Sequence, residues 1–246
     1  MGYHESLTEG RNAVLEAFRS GKTVDRLFVL DGCQDGPVKT ILREAKKQDT
    51  MVQYVKKERL DQLSETKNHQ GVIAYCAACE YAEVSDILEN AKKKGEAPFI
   101  VLLDGIEDPH NLGAIIRTAN QAGAHGVIIP KRRAVGLTAT VARTSAGAVN
   151  YTPVAKVTNL VTVMEDLKKE GMWFVCADMD GEEMYSLNLK GPIGLVIGNE
   201  GEGVSRLVKK HCDMVASIPM KGDIDSLNAS VAMGVLAYEI VRQRRF

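Results

Sequence analysis

Five side chains in this sequence have types and spacing that could act together: Asn111, Arg117, Glu200, Ser226 and Asn228. They fall in three stretches, 108–117, 198–203 and 219–230, and each stretch follows a short strand-like run. If those runs are parallel strands of one sheet, the stretches converge on the edge where ligands bind in open parallel sheets. Taken singly, each residue has a plainer reading. Asn111 fits a helix N-cap, and Ser226 a cap for the final helix. Arg117 on an apolar helix fits a snorkelling cation or a paired one. Glu200 suits the positive end of the helix after it. Asn228, in the first turn of the final helix, competes with helical bonding and is the least expected there.

The middle stretch organises the rest. An apolar run, Gly194–Ile197, stops at Gly198-Asn199-Glu200-Gly201-Glu202-Gly203. The glycines permit a sharp turn at the strand's carboxyl end and close approach to a ligand. Their order is G-x-x-G-x-G, so this is no dinucleotide fingerprint, and no Walker A lysine is present. What remains is a turn presenting Asn199 and Glu200, suited to a ligand without a pyrophosphate.

The surrounding elements alternate between strand and helix, which predicts two α/β units. In residues 1–76, helical spacing at Ala13, Val14, Ala17 and Phe18 precedes strands at 26–30, 51–55 and 72–76, with helices at 38–47 and 58–63. Residues 77–97 read as an interdomain linker holding a short helix (82–91), ended by Lys92-Lys93-Lys94-Gly95. Residues 98–246 give strands at 99–103, 126–130, 173–177, 193–197 and 214–219, and a short extended piece at 151–154. Helices are predicted at 112–122, 138–145, 160–169 and 204–210, with a long final helix from about 226 to 244.

Composition narrows the function. The chain has 246 residues, 45% hydrophobic and 26% charged, with 31 Lys+Arg against 32 Asp+Glu and a net charge of −1. It is not basic throughout, yet a local basic patch suffices for nucleic acid. Five cysteines form no disulfide framework, and reduced thiols in a cytoplasm are the simplest reading. Cys76-x-x-Cys79 has no second pair, so no metal site is expected. No H-E-x-x-H or hydrolase triad order appears, and neither a signal peptide nor a membrane span is indicated. Met1-Gly2-x-x-x-Ser6 fits only the loose myristoylation pattern.

Together, Asp108-Pro-His-Asn111-Leu-Gly-Ala-Ile-Ile-Arg117, Gly198-Asn199-Glu200-Gly201, and Ile218-Pro219-Met220 with Ser226-Leu227-Asn228 resemble the three motifs of the SpoU (TrmH-like) RNA 2′-O-methyltransferases. The resemblance covers about residues 98–246. Residues 1–76, with Glu9-Gly-Arg11-Asn12 and His69-Gln70-Gly71, look like the family's L30e-like RNA-binding module. The resemblance implies a trefoil-knotted parallel-sheet α/β domain, a homodimer and an S-adenosylmethionine cofactor. The cofactor is expected against Gly198, Asn199, Gly201, Ile218 and Leu227. Asn111, Arg117, Glu200, Ser226 and Asn228 fall on the catalytic positions. Arg117 is expected to orient an RNA phosphate and stabilise the developing alkoxide, since guanidinium stays protonated. Glu200 and Asn111 are expected to hold it, Ser226 to assist at the ribose and Asn228 to support the loop. Arg11, Lys67, Lys131, Arg132 and Arg133 are the expected RNA contacts. Within the family, full-length likeness is to enzymes that methylate a guanosine of large-subunit (23S) rRNA in the cytoplasm. A tRNA ribose methyltransferase and a non-catalytic ribosome-assembly factor are the competing readings.

Overall fold

The structure, a computed structural model, describes residues 6–223 and 226–245. The chain divides into two compact units, Met1–Glu80 with Gly136–Thr140, and Tyr81–Val135 with Val141–Phe246.

The first unit contains β1 (Ser6–Glu9), α1 (Arg11–Arg19), β2 (Val24–Leu30), α2 (Gly36–Lys47), β3 (Met51–Val55), α3 (Lys57–Leu63) and β4 (Val72–Cys76). Its sheet has the order β1-β4-β2-β3. β2 and β3 are parallel, whereas β4 runs antiparallel to both β1 and β2. β1 has no counterpart among the strands the sequence predicts, because Ser-Leu-Thr-Glu is too short and polar to show a period. On one sheet face Val14, Ala17 and Phe18 of α1 and Val38, Ile41 and Ala45 of α2 pack with Leu27, Val29 and Ala74. Their spacing puts one apolar stripe of each helix on the sheet.

The second unit contains α4 (Val84–Lys94), β5 (Phe99–Asp104), α5 (Pro109–Gln121), β6 (Gly126–Pro130), β7 (Val154–Val157), α7 (Leu160–Lys169), β8 (Trp173–Glu183), β9 (Ile193–Gly198), α8 (Arg206–Lys210), β10 (Met214–Ser217) and α9 (Ala229–Arg245). A short helix α6 (Ala139–Thr144) lies between β6 and β7. The sheet order is β10-β8-β9-β5-β6-β7, and every neighbouring pair is parallel. β5 and β9 lie in the middle and are buried throughout apart from the half-buried Asp104. This is why both read as near-continuous apolar runs.

Three sequence boundaries shift. α4 lies within the stretch expected to be a linker, yet Ile87 and Ala91 are buried, and Ile87 packs in the second unit's core. The strand expected at 151–154 is displaced to Val154–Val157, because Ala148–Asn150 form a turn of 3₁₀ helix first. β8 is longer than predicted: its pairing with β10 jumps from Val215↔Cys176 to Ala216↔Glu182, so Ala177–Gly181 bulge out of the ladder. α9 then packs against α5, β8 and β9. The three stretches of interest thereby open from the carboxyl ends of β5, β9 and β10, on one edge of the sheet.

Candidate active site

The first stretch is set by the start of α5. Asp108, not Asn111, is the N-cap: its Oδ1 accepts from the His110 N–H at 3.0 Å, and Pro109 fills the first helical position. Asn111 sits within the first turn and is buried, so its amide must find partners elsewhere. A Cβ at Gly113 would lie 1.8 Å from Thr144 Oγ1, so glycine alone permits this approach of α5 to the end of α6.

The second stretch closes on itself. Asn199 N–H donates to Gly203 O (3.1 Å) and Gly203 N–H to Asn199 O (2.8 Å). A Cβ on Gly198 would fall 2.0 Å from the Gly203 carbonyl carbon, so only glycine fits at the strand's end. Asn199 serves the loop's own shape: Nδ2 donates to Gly105 O (2.9 Å), and Oδ1 accepts from Gly201 N–H (2.8 Å). Ser205 N–H donates to Asp104 Oδ2 at 2.8 Å, fastening the far side of the loop to β5. Nothing in the sequence around Asp104 signals this contact.

Glu200 stands at the loop's tip and gathers the other stretches. Asn111 Nδ2 donates to its Oε1 at 2.9 Å, Asn228 Nδ2 donates to the same oxygen, and Ala229 N–H approaches it at 3.4 Å. Asn228 Nδ2 also donates to Asn111 Oδ1 at 2.9 Å. A carboxylate and two amides thus link positions 89 and 117 residues apart in sequence. Asn228 is in addition the residue that caps α9: its Oδ1 accepts from Ser230 N–H (3.0 Å) and Val231 N–H (3.3 Å). α9 begins at Ala229, so Ser226 is not its cap, and Asn228 precedes the first turn rather than lying in it. Glu200 faces the positive end of α9, not of α8, which starts only at Arg206.

Arg117 is not held by Glu200 and Asn111. It is exposed and makes no hydrogen bond or ion pair among the described residues. Helix geometry explains this. Six residues beyond Asn111, it lies about 9 Å along the axis and roughly 120° around it. Ser226 is exposed and likewise joins no hydrogen bond among the described residues.

The segment leading to Asn228 carries apolar side chains in solvent: Met220 is 39% exposed and Leu227 37%. Ile218 is half-buried. The backbone N–H groups of Met220 and Leu227 donate to no backbone carbonyl among the described residues. Exposed apolar side chains, backbone donors without a carbonyl partner among the described residues and the adjacent glycine turn suit a ligand with an aromatic base.

The five basic residues differ in their freedom. Arg11 is tied down in the first unit, with Nη2 2.6 Å from Asp35 Oδ2 and Nε donating to Gln70 O (3.1 Å). Lys67, Arg132 and Arg133 are exposed. Lys131 N–H donates to Val157 O (2.8 Å), which fixes the base of the loop after β6. Among the described residues no cluster could hold a metal ion, and no helix is long and apolar enough to cross a membrane.

With this geometry in place, comparison with known proteins is decisive. The profile of the SpoU rRNA methylase family matches residues 98–238, the span that contains all three stretches. The chain belongs to the SpoU methylase family. It is an RNA methyltransferase, and the trefoil knot is typical of this fold. A second profile, RNA 2′-O ribose methyltransferase substrate binding, matches residues 7–82. A Bacillus subtilis protein, whose name places it in the TrmH family of tRNA/rRNA methyltransferases, is 48% identical over 237 residues, 96% of this chain and 94% of its own. The AdoMet-bound rRNA methyltransferase from Sinorhizobium meliloti superposes with a TM-score of 0.61 at 25% identity, covering 97% of this chain and 87% of that one. The A. aeolicus TrmH/SpoU tRNA-modifying enzyme gives a TM-score of 0.56 at 27% identity, but covers only 65% of this chain and 84% of its own.

Proposed function

We propose that this SpoU-family protein transfers the methyl group of S-adenosylmethionine to the 2′-hydroxyl of a guanosine in large-subunit (23S) RNA. The observation that carries the reading is the Asn111–Glu200–Asn228 cluster, which ties the three motif stretches into one open site at the carboxyl edge of a parallel sheet. S-adenosylmethionine supplies an electrophilic methyl on sulfur. Gly198, Asn199, Gly201, Ile218 and Leu227 border the place that would hold it, with Asn199 shaping the turn.

This chain's part is positioning and charge. The ribose oxygen must be held in line for attack, and that orientation is worth several kcal/mol of the barrier. As the 2′-oxygen loses its proton, a fixed donor lowers the barrier further. We assign that role to Arg117, with an RNA phosphate as its second partner, and place Ser226 at the ribose. Glu200, Asn111 and Asn228 shape the pocket rather than hold Arg117. Arg117 lies on the outer stripe of α5 with His110 and Gln121. On α9, which packs on α5, Val231 (49% exposed) and Tyr238 (51%) leave apolar surface seven residues apart. Both observations support a homodimer in which a second copy covers this face and completes the surroundings of Arg117. Lys67, Lys131, Arg132 and Arg133, with Arg11 more constrained, are the RNA-facing cations, acting in a cytoplasmic setting.

Ribosomal over transfer RNA is favoured by coverage. The rRNA enzyme aligns with the first unit included, whereas the tRNA enzyme aligns with about two thirds of the chain. The test is transfer of labelled methyl to unmodified large-subunit rRNA and, separately, to unmodified tRNA. Label in rRNA alone is expected. Label in tRNA alone overturns the substrate, and cofactor binding without label in either favours the assembly-factor reading.

A further inference from the structure

In the first unit, the loop between α3 and β4, residues 64–71, is held more firmly than a surface loop needs to be. Its anchor is Glu9 at the end of β1. The Glu65 and Thr66 N–H groups donate to Glu9 Oε1 (2.7 and 3.2 Å), and the Thr66 hydroxyl donates to Oε2 (2.9 Å), as does the Ser64 hydroxyl. The anchoring side chains support the next turn as well: Lys67 N–H donates to Ser64 Oγ (2.8 Å) and Asn68 N–H to Thr66 Oγ1 (3.3 Å). The other end is fixed by His69, which is buried, accepts from Gly71 N–H at Nδ1 (3.0 Å) and meets Asp61 Oδ1 through Nε2 (3.0 Å). Arg11 N–H donates to Gln70 Oε1 at 3.2 Å.

Between these anchors, Lys67 and Gln70 take left-handed backbone conformations, with φ of 59° and 51°. Such conformations are unfavourable for residues with a Cβ and persist where their surroundings over-determine them. What the loop presents is specific. Lys67 and Asn68 are exposed, and neither side chain has a partner among the described residues. An ammonium and an amide held side by side on a rigid turn suit a phosphate and an adjacent unpaired base, the combination RNA offers in loops and bulges. Lysine binds phosphate as a point charge, and a side-chain amide reads the donor and acceptor edge of a base.

We infer that the 64–71 loop is a preformed RNA-reading element, in which Lys67 meets a phosphate, Asn68 meets a base edge and Glu9 is the positioning residue that keeps both in place. The inference rests on the RNA methyltransferase reading and deepens it by assigning where the first unit meets its substrate. Glu9 touches no RNA in this scheme. Its carboxylate is solvated by backbone amides and hydroxyls, a role that neither alanine nor a smaller acid reproduces.

The experiment uses the full chain with unmodified large-subunit rRNA and with tRNA, and reads Kd for each RNA over a range of salt, together with KM and kcat for methyl transfer. Lys67→Ala is expected to weaken the preferred RNA about 5- to 10-fold and to lower the salt slope by about one. Asn68→Ala is expected to weaken it similarly with the slope unchanged. Glu9→Ala should reproduce the sum of both, with kcat at saturating RNA and the affinity for S-adenosylmethionine retained. Glu9→Gln, which keeps an acceptor for the two amides, should recover part of the loss. Unchanged Kd in both Lys67→Ala and Asn68→Ala overturns the inference, as does a Glu9→Ala protein that stays folded and binds RNA normally. RNA binding without methyl transfer overturns the proposed activity alone, and the Kd values still decide the loop. A wild-type chain that binds neither RNA overturns both.

Discussion

Two glutamates, one in each unit, solve the same physical problem with different partners. Glu200 gathers side-chain amides, Asn111 and Asn228, from elements far apart in sequence, and touches the start of α9. Glu9 gathers consecutive backbone amides and two hydroxyls from one loop. The first clamp fixes the mutual placement of three stretches and therefore the shape of the proposed active site. The second fixes the conformation of one short loop, the proposed RNA-reading element. Damage to the two should separate into lost turnover and lost substrate affinity.

The largest effect expected on the Glu200 side is on Arg117, which the clamp leaves free. Arg117→Ala should lower kcat about 10²- to 10³-fold, the usual loss of a donor at a developing oxyanion. Cofactor affinity, read by calorimetry, and melting temperature should hold. A small loss of turnover would remove Arg117 from the chemistry. Next comes Gly198→Ala, whose Cβ meets the Gly203 backbone at 2.0 Å. It should lower stability by about 3 kcal/mol in a denaturant titration and weaken cofactor binding with it. A protein of normal stability would show that the turn can open freely. Glu200→Ala leaves the buried Asn111 amide without its acceptor. Because Glu200 is solvent-exposed, the stability loss should be about 1–2 kcal/mol. Turnover should fall with the RNA Kd unchanged, the opposite of Glu9→Ala.

The smallest effect separates the units by pH. His125 is fully buried; Phe99 N–H donates to its Nδ1 at 3.0 Å, and Nε2 meets Glu96 Oε2 at 3.1 Å. Burial holds its pKa below the ordinary 6.5, against the pull of Glu96. The neutral ring is therefore the folded form, and its stabilisation is lost as pH falls below 6.5 toward the depressed value. At Glu9, burial acts to raise the carboxyl, but the hydrogen bonds from Ser64, Glu65 and Thr66 outweigh it and set the value below the ordinary 4.5. Its contribution is complete above 4.5 and disappears only as pH falls through that lower value. On acidification the second unit should weaken first, and His125→Gln should flatten the loss that begins below about pH 6.5. If hydrogen-exchange protection fell in both units together from pH 6.5, this ordering would be wrong.

The same contrast explains what could be read from sequence. The Glu200 clamp was legible because its donors are side chains: Asn111, Glu200 and Asn228 stand in three motifs whose common purpose shows once strands are placed before them. The strand–helix alternation was legible for the same reason, since apolar runs such as Phe99–Leu103 record burial on both faces. The Glu9 clamp leaves no sequence signature because half of its donors are the backbone amides of 65 and 66 and the other half are ordinary loop hydroxyls, Ser64 and Thr66. β1 was too short to show a period. The caps were misplaced at Asn111 and Ser226 because several capping residues compete near each helix start, and only geometry selects Asp108 and Asn228. The orientation of Arg117 followed from its helical phase, which the apolar run around it concealed.

The proposed reaction is decided by where the methyl group goes, which the chemical position of the label reports. RNA methylated by the wild-type protein would be hydrolysed in alkali, which cannot cleave 3′ to a 2′-O-methylated ribose, and the resistant dinucleotide would then be identified. Label is expected in an alkali-resistant dinucleotide beginning with guanosine, and at most a trace from Arg117→Ala under the same conditions. Label recovered in an alkali-sensitive mononucleotide, with the methyl on the base, would contradict it.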